Sequence, residues 1–231
     1  MPYWQWNYKQ LLLCRRSGNS CSVCSCTKWF TCCMLRLCKR ELHIFSPQKS
    51  VAMCILPKNM KLHNLPGIFL GENKLEYVQE FNFLGHTLTS NFSDDEDIKK
   101  EIRKLCARGN TLIRKFSFCN IEVKCNLFKT YCYSLYCSPL WCNFRKSTLT
   151  RLKVCFNNVL RRLTGVPMFS SASQMFVAHN VMSLPELMRK TAFGLFKRIL
   201  GSSNSIILAI CKSDISLKSA IRERWWSLLY R

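Results

Sequence analysis

The chain has 231 residues, 48% of them hydrophobic and 12% aromatic, so it can bury a core and is not a disordered tail. Eight glycines and seven prolines exclude collagen-like and low-complexity classes. Thirty-five Lys and Arg against 13 Asp and Glu give a formal charge of +22, which repels itself in a compact state and points to a polyanionic partner, nucleic acid ahead of an anionic membrane surface.

Residues 1–40 carry Trp4, Trp6, Trp29 and seven cysteines without a clean helical or strand period, apart from a helix expected near 28–41. The apolar run at 11–14 is too short for a secretory signal, and no run reaches the roughly 18 apolar residues of a membrane span. The expectation is therefore an intracellular chain, in nucleus or cytoplasm, not secreted, without a membrane segment, whose 16 cysteines are thiols. Residues 42–90 read as short strands. Ser50 to Leu56 is one, stopped by Pro57. Gly67 to Leu70 and Leu75 to Val78 flank a turn at 71–74, and 81–89 alternates as a further strand of the same sheet.

From residue 94 the period becomes helical. Ile98, Ile102, Leu105, Gly109, Leu112 and Phe116 form one apolar stripe, with Ser93 and Glu96 placed as a capping box. Asn120 opens a second helix, with Val123, Leu127, Tyr131 and Leu135 on one face and Pro139 at its end. A third helix over about 148–163 turns Leu149, Leu152, Phe156, Val159 and Leu163 inward, and Gly165 stops it. Ser171 with Gln174 caps a short helix. Ser183 with Glu186 caps a longer one that presents Leu187, Leu195, Ile199 and Leu200 and closes at Gly201. Two short helices follow, the last with Trp225, Trp226 and Leu229. The fold class expected is mainly α: a thumb-like helical bundle preceded by a small, incomplete antiparallel β element.

The positive charge is concentrated. Residues 99–162 hold 15 Lys and Arg against only Glu101 and Glu122. Lys99, Lys100, Arg103, Lys104, Arg114, Lys115, Arg151, Lys153, Arg161 and Arg162 are the candidate nucleic-acid-binding residues, because a solvated face normally carries interspersed acids. Asp94, Asp95, Glu96 and Asp97 follow an aromatic residue in the manner of a polymerase metal turn, but they open a strong amphipathic helix, so complementing its dipole is the preferred reading. Cys21 and Cys24, with Cys33, Cys38 and His43, make an irregular zinc-like set. The other cysteines lie singly on helices, where Cys behaves as a small hydrophobe. The four histidines are scattered, and no Gly-rich phosphate loop appears.

From about residue 41 onward the chain resembles the C-terminal part of a reverse transcriptase from a non-LTR, LINE-like, jockey-type retrotransposon. The resemblance rests on Ser46-Pro47-Gln48-Lys49-Ser50, Phe81-Asn82-Phe83-Leu84-Gly85-His86, the run from Ser93 to Asn110, Leu140-Trp141-Cys142-Asn143, Phe156-Asn157-Asn158, and the stretch from Ser171 to Val177. It departs at Ser46, where the family often has Asn, and residues 1–40 do not match. It implies a palm remnant over 41–92, with Lys49 as a palm lysine, and a thumb with downstream helices over 93–231, after an unmatched segment 1–40. The intact family copies RNA into DNA with Mg²⁺ held on aspartates that would lie upstream of residue 41. The resemblance therefore implies no catalytic residue, no metal ligand and no cofactor in this chain, and a partner in the backbone of RNA or of an RNA–DNA duplex. The alternatives are a non-functional relic or a small zinc- or nucleic-acid-binding module.

Overall fold

The computed structural model describes residues 11–15, 50–55, 67–70, 72–213 and 219–229. The chain divides into two compact units, Met1–Ser93 and Asp94–Arg231, and the break falls where the sequence period changes from two to 3.6.

The first unit holds seven strands among its described residues. Strands β1 (Leu11–Arg15), β2 (Val51–Ile55) and β5 (Glu76–Tyr77) form a parallel sheet in the order β1-β2-β5. Strand β3 (Phe69–Leu70) pairs antiparallel with β4 (Asn73–Lys74), and β6 (Glu80–Phe83) with β7 (His86–Thr89). The antiparallel element expected from sequence thus accounts for the hairpins, while the larger sheet is parallel. The reason lies in β2, whose five residues are all apolar. Ala52 packs with Ile68, Leu70 and Leu75 on one face, and Met53 and Ile55 pack with Phe81 on the other. A strand covered on both faces suits a parallel sheet, and the equally unbroken Leu11-Leu12-Leu13-Cys14 supplies its neighbour. Residues 11–15, where the sequence shows no clean helical or strand period, thus form a strand.

Two more strand expectations change. The hairpin turn is tighter than 71–74, because Leu70 already pairs with Asn73, and residues 76–77 leave that hairpin for β2. Residues 81–89 are a hairpin rather than one strand: Leu84 (φ 46°) and Gly85 (φ 86°) both take positive φ, the backbone of a two-residue primed turn. The expected helix near 28–41, the zinc-like residues Cys21, Cys24, Cys33, Cys38 and His43, and Lys49 lie outside the described residues.

The second unit is helical, as expected: α1 (Asp95–Lys115), α2 (Ile121–Cys132), a 3₁₀ turn (Ser138–Leu140), α3 (Lys146–Thr164), α4 (Ala172–Ala178), α5 (Leu184–Leu200), α6 (Ser205–Lys212) and α7 (Ala220–Leu229). Its core joins Ile98, Leu105 and Leu112 of α1 to Phe128 of α2, Leu152, Phe156 and Leu160 of α3, and Leu184 and Leu187 of α5. Phe156 stands at the centre of a ring cluster, 5.0 Å from Phe128, 6.2 Å from Phe176 and 6.3 Å from Tyr133 between centroids, in the offset and edge-on geometries aromatic pairs prefer. The Met182 N–H donates to the Tyr133 hydroxyl at 2.6 Å, which ties the entry of α5 to the end of α2. Trp225 of α7 donates its indole N–H to the Pro139 carbonyl at 2.7 Å and packs edge-on against Phe196 of α5.

Local signals place several boundaries. The Asn120 side chain accepts the Val123 N–H at 2.9 Å, Gly165 ends α3 in the left-handed region (φ 78°), and the Ser183–Glu186 box opens α5. Ser171 precedes α4 without a side-chain cap, so the Ser171–Gln174 box is not formed. On α2 the inward face is Cys125, Phe128 and Cys132, whereas Val123 and Tyr131 are exposed. The expected face used steps of four alone, which drift about 40° each, while alternating steps of three and four stay on one side. The helix also ends at Cys132, well before Pro139. On α5, Leu187 is buried with Leu184, Met188 and Ala192, but Leu200 is exposed, and Gly201 closes the helix at negative φ.

Helices α1 and α3 pack tightly where Gly109 meets Val159. A Cβ on Gly109 would lie 2.5 Å from Val159 Cγ1, so only glycine admits this crossing. Gly109→Val is expected to lower stability by about 1–3 kcal/mol in urea unfolding. Gly109→Ala gains up to about 1 kcal/mol of helix propensity but meets the stiff Val159 side chain, and pairing it with Val159→Ala should recover part of the loss as a positive coupling.

Burial pushes the thiols of Cys132 and Cys137 up to about 11 from an ordinary 9.0, with the Asp97 carboxylate adding to the effect at Cys137. The unfolded chain releases these protons first as pH rises. The stabilisation is therefore complete below about pH 9 and lost toward pH 11, at up to about 1.4 kcal/mol per pH unit per thiol. Urea midpoints measured at pH 8 and 10 check it, and Cys132→Ala with Cys137→Ala should flatten the fall.

Candidate nucleic-acid interface

The interface is positioned by acids. At the start of α1 the Asp94 Oδ2 accepts the N–H groups of Cys142 and Asn143, each at 2.8 Å, while the Asp94 N–H donates to the Asn143 carbonyl at 2.8 Å. Asp95 Oδ1 accepts the Arg145 N–H at 3.0 Å, and its other oxygen faces Arg145 Nε at 3.6 Å. Asp97, fully buried, accepts the Trp141 indole N–H at 2.8 Å and pairs with Lys100 at 2.9 Å. Three carboxylates thus hold the non-helical segment 141–145 that leads into α3, and they satisfy backbone donors that would otherwise be orphaned.

This changes the sequence reading of the acidic run. Asp95, Glu96 and Asp97 do occupy the first turn of α1, where the helix dipole favours them, but three of the four acids are spent on tertiary contacts. Asp94 is the residue before the helix and makes no side-chain cap, and the Ser93 N–H instead donates to Thr89 Oγ1 and Asn91 Oδ1, so the Ser93–Glu96 box is not formed. Asp94 Oδ2, Asp95 Oδ1 and both Asp97 oxygens are engaged by N–H groups or by Lys100. No group of three metal-ligating side chains occurs among the described residues.

With its entry held beside the start of α1, α3 runs parallel to α1. Cys106 meets Cys155, Gly109 meets Val159, and Arg114 shares a cleft with Arg162, in rising order on both helices. Both N-termini lie at one end with the acids. The basic last turns, Arg114-Lys115 and Arg161-Arg162, lie at the other, where helix dipoles favour cations.

The ten sequence-predicted residues separate into three groups. Lys99 pairs with Glu96 at 2.7 Å, Lys100 with Asp97, and Lys104 with Glu101 at 2.6 Å, so their charge is partly compensated within α1. Arg161 is engaged structurally, donating to the Ser170 carbonyl at 2.8 Å and to Asn158 at 3.3 Å. Arg103, Arg114, Lys115, Arg151, Lys153 and Arg162 are exposed and pair with no acid among the described residues.

Geometry gathers four of those six. Arg103 and Arg114 are eleven residues apart on α1, as are Arg151 and Arg162 on α3. Eleven residues are close to three turns and about 16 Å of rise, so each pair forms one ridge. Lys153 lies about 200° around α3 from Arg151, and Lys115 about 100° around α1 from Arg114, so neither belongs to the ridge. Between the helix ends a cleft of about 540 Å³ is lined by Ala107, Asn110, Thr111, Ile113, Arg114 and Arg162, with no acid among them. Sequence reading missed Asn110 and Thr111, though their positions one turn before Arg114 were a usable signal. Arg108, on the flank of α1, donates to the Tyr131 carbonyl at 3.2 Å and to Ser134 Oγ at 2.7 Å, which makes it a brace to α2.

What this fold and site define is a helical unit with a basic cleft between two parallel helices. Comparison with protein-family models, with curated proteins and with solved structures finds no match for the chain. Among the described residues no single helix is long and apolar enough to cross a membrane.

Asp97→Ala leaves a buried indole N–H without an acceptor and is expected to cost about 2–4 kcal/mol in urea unfolding, with a changed tryptophan emission. Asp97→Asn keeps one acceptor and should cost less. Glu96→Ala, which touches only the exposed Lys99, should change stability by under about 0.5 kcal/mol.

Proposed function

We propose that the chain is the C-terminal part of a non-LTR retrotransposon reverse transcriptase, comprising the end of the palm, the thumb and the downstream helices. In this reading it grips the backbone of RNA or an RNA–DNA duplex electrostatically and carries no polymerisation chemistry of its own. The motifs from Ser46 to Val177 support the family assignment. The observation that carries the binding half is the cleft in which Arg114 and Arg162, from two different helices, converge without an acid. Arginine suits this task, since its planar fork presents paired donors to phosphate oxygens. Mg²⁺, which the intact family uses, would be held upstream of residue 41, because Asp94, Asp95 and Asp97 are committed to the segment 141–145.

A salt titration of duplex binding tests the proposal. The logarithm of affinity should fall linearly with that of salt concentration, by about 0.9 for each phosphate neutralised on B-form DNA. Arg114→Ala and Arg162→Ala should each reduce the slope by about 1, while Lys153→Ala leaves it nearly unchanged. A flat dependence in the parent chain defeats the binding half. Primer extension by this chain with Mg²⁺ present defeats the non-catalytic half.

A further inference from the structure

The bundle contains a pair of nucleophilic groups that the proposed binding does not use. Cys106 of α1 and Cys155 of α3 place their sulfurs 3.0 Å apart, one turn before the Gly109–Val159 crossing. Both residues are half-buried, and they are 49 positions apart in the chain, so only the parallel packing of the two helices brings them together. We propose that Cys106 and Cys155 are a redox-modification site, a dithiol that a small-molecule disulfide of the glutathione type converts to a disulfide between α1 and α3.

Several observations favour this over the alternatives. A disulfide has an S–S length of about 2.0 Å, so closure asks each sulfur to move roughly 0.5 Å. A tetrahedral zinc with Zn–S bonds of about 2.3 Å would hold its sulfurs roughly 3.8 Å apart, so the pair is too close for a shared metal. As thiols the pair makes at most a weak S–H···S hydrogen bond, and the same approach places the two sulfurs within reach of exchange. Gly109 lets the two helix backbones approach closely enough for the short cysteine side chains to meet.

The step balances. The Cys106 thiolate attacks one sulfur of the small disulfide, whose S–S bond breaks and expels one thiolate. Cys155 then gives up its proton and attacks Cys106 Sγ, expelling the second thiolate. Two cysteine thiols are oxidised to one disulfide, the small disulfide is reduced to two thiols, and the two protons go to the leaving thiolates. Burial first, then the Cys106 and Cys132 thiols, push the Cys155 thiol up, so the exchange should quicken as pH rises.

The inference does not rest on nucleic-acid binding. The reduced, full-length chain is exposed to graded oxidised glutathione, its free thiols are alkylated, and every cysteine is mapped in a non-reducing digest. The expected result is a Cys106–Cys155 cross-link at least about tenfold more abundant than any other pairing, reversed by dithiothreitol. Oxidation should also raise the thermal midpoint by several degrees, because the cross-link restricts the unfolded chain, and Cys155→Ser should leave a glutathione adduct on Cys106 without that rise. Alkylation of Cys106 and Cys155 as fast as Cys119 and Cys211, or cross-links spread without preference, overturns the proposal.

Discussion

The buried contact between Asp97 and the Trp141 indole is the constraint on which the helical unit turns. A carboxylate with no solvent exposure is costly unless its oxygens are filled, and here one takes the indole N–H and the other Lys100. With Asp94 and Asp95 it turns one helical end into a socket for the five residues before α3. Those residues form no helix of their own, and the N–H groups of Cys142, Asn143 and Arg145 find acceptors in these carboxylates.

The direction of α3 follows from that socket. Sequential helices joined by short links run antiparallel, and α2 returns along α1 in this way. Held by its leading segment at the start of α1, α3 then travels parallel to α1. Two consequences meet in the same place. Gly109 permits a close crossing with Val159, and the basic last turns of both helices collect at one end. The buried acids Asp94, Asp95 and Asp97 lie at the socket, and the last turns carrying Arg114 and Arg162 lie at the far end. The cleft lined by Arg114 and Arg162 is the product of that arrangement.

The scarcity of acids acts twice. Of 13 in the chain, Asp94, Asp95, Asp97 and Glu101 are buried and engaged. Few remain to neutralise the exposed surface, so Arg103, Arg114, Arg151 and Arg162 stand without partners among the described residues. The same commitment removes the one aspartate cluster that looked like a metal site. An acid run that serves as a structural lock is not available to pair with the exposed arginines.

The sequence by itself determined what depends on near neighbours. The apolar stripe of α1, the Asn120 cap, the Ser183–Glu186 box and the left-handed stop at Gly165 were all legible, because each is an interaction within about one helical turn. The mainly helical class followed from them, and the concentration of Lys and Arg in 99–162 could be counted. Tertiary structure alone decided the rest. The partners that Asp94, Asp95 and Asp97 find in the segment 141–145 lie 44 to 50 residues away, and no local pattern distinguishes an acid that faces a dipole from one that locks a distant segment. Likewise β1 has strand meaning only beside β2, and Cys106 only beside Cys155. Which basic residues are free was settled by whether an acid lay one turn back or an open cleft lay ahead, a matter of packing direction that periodicity does not encode.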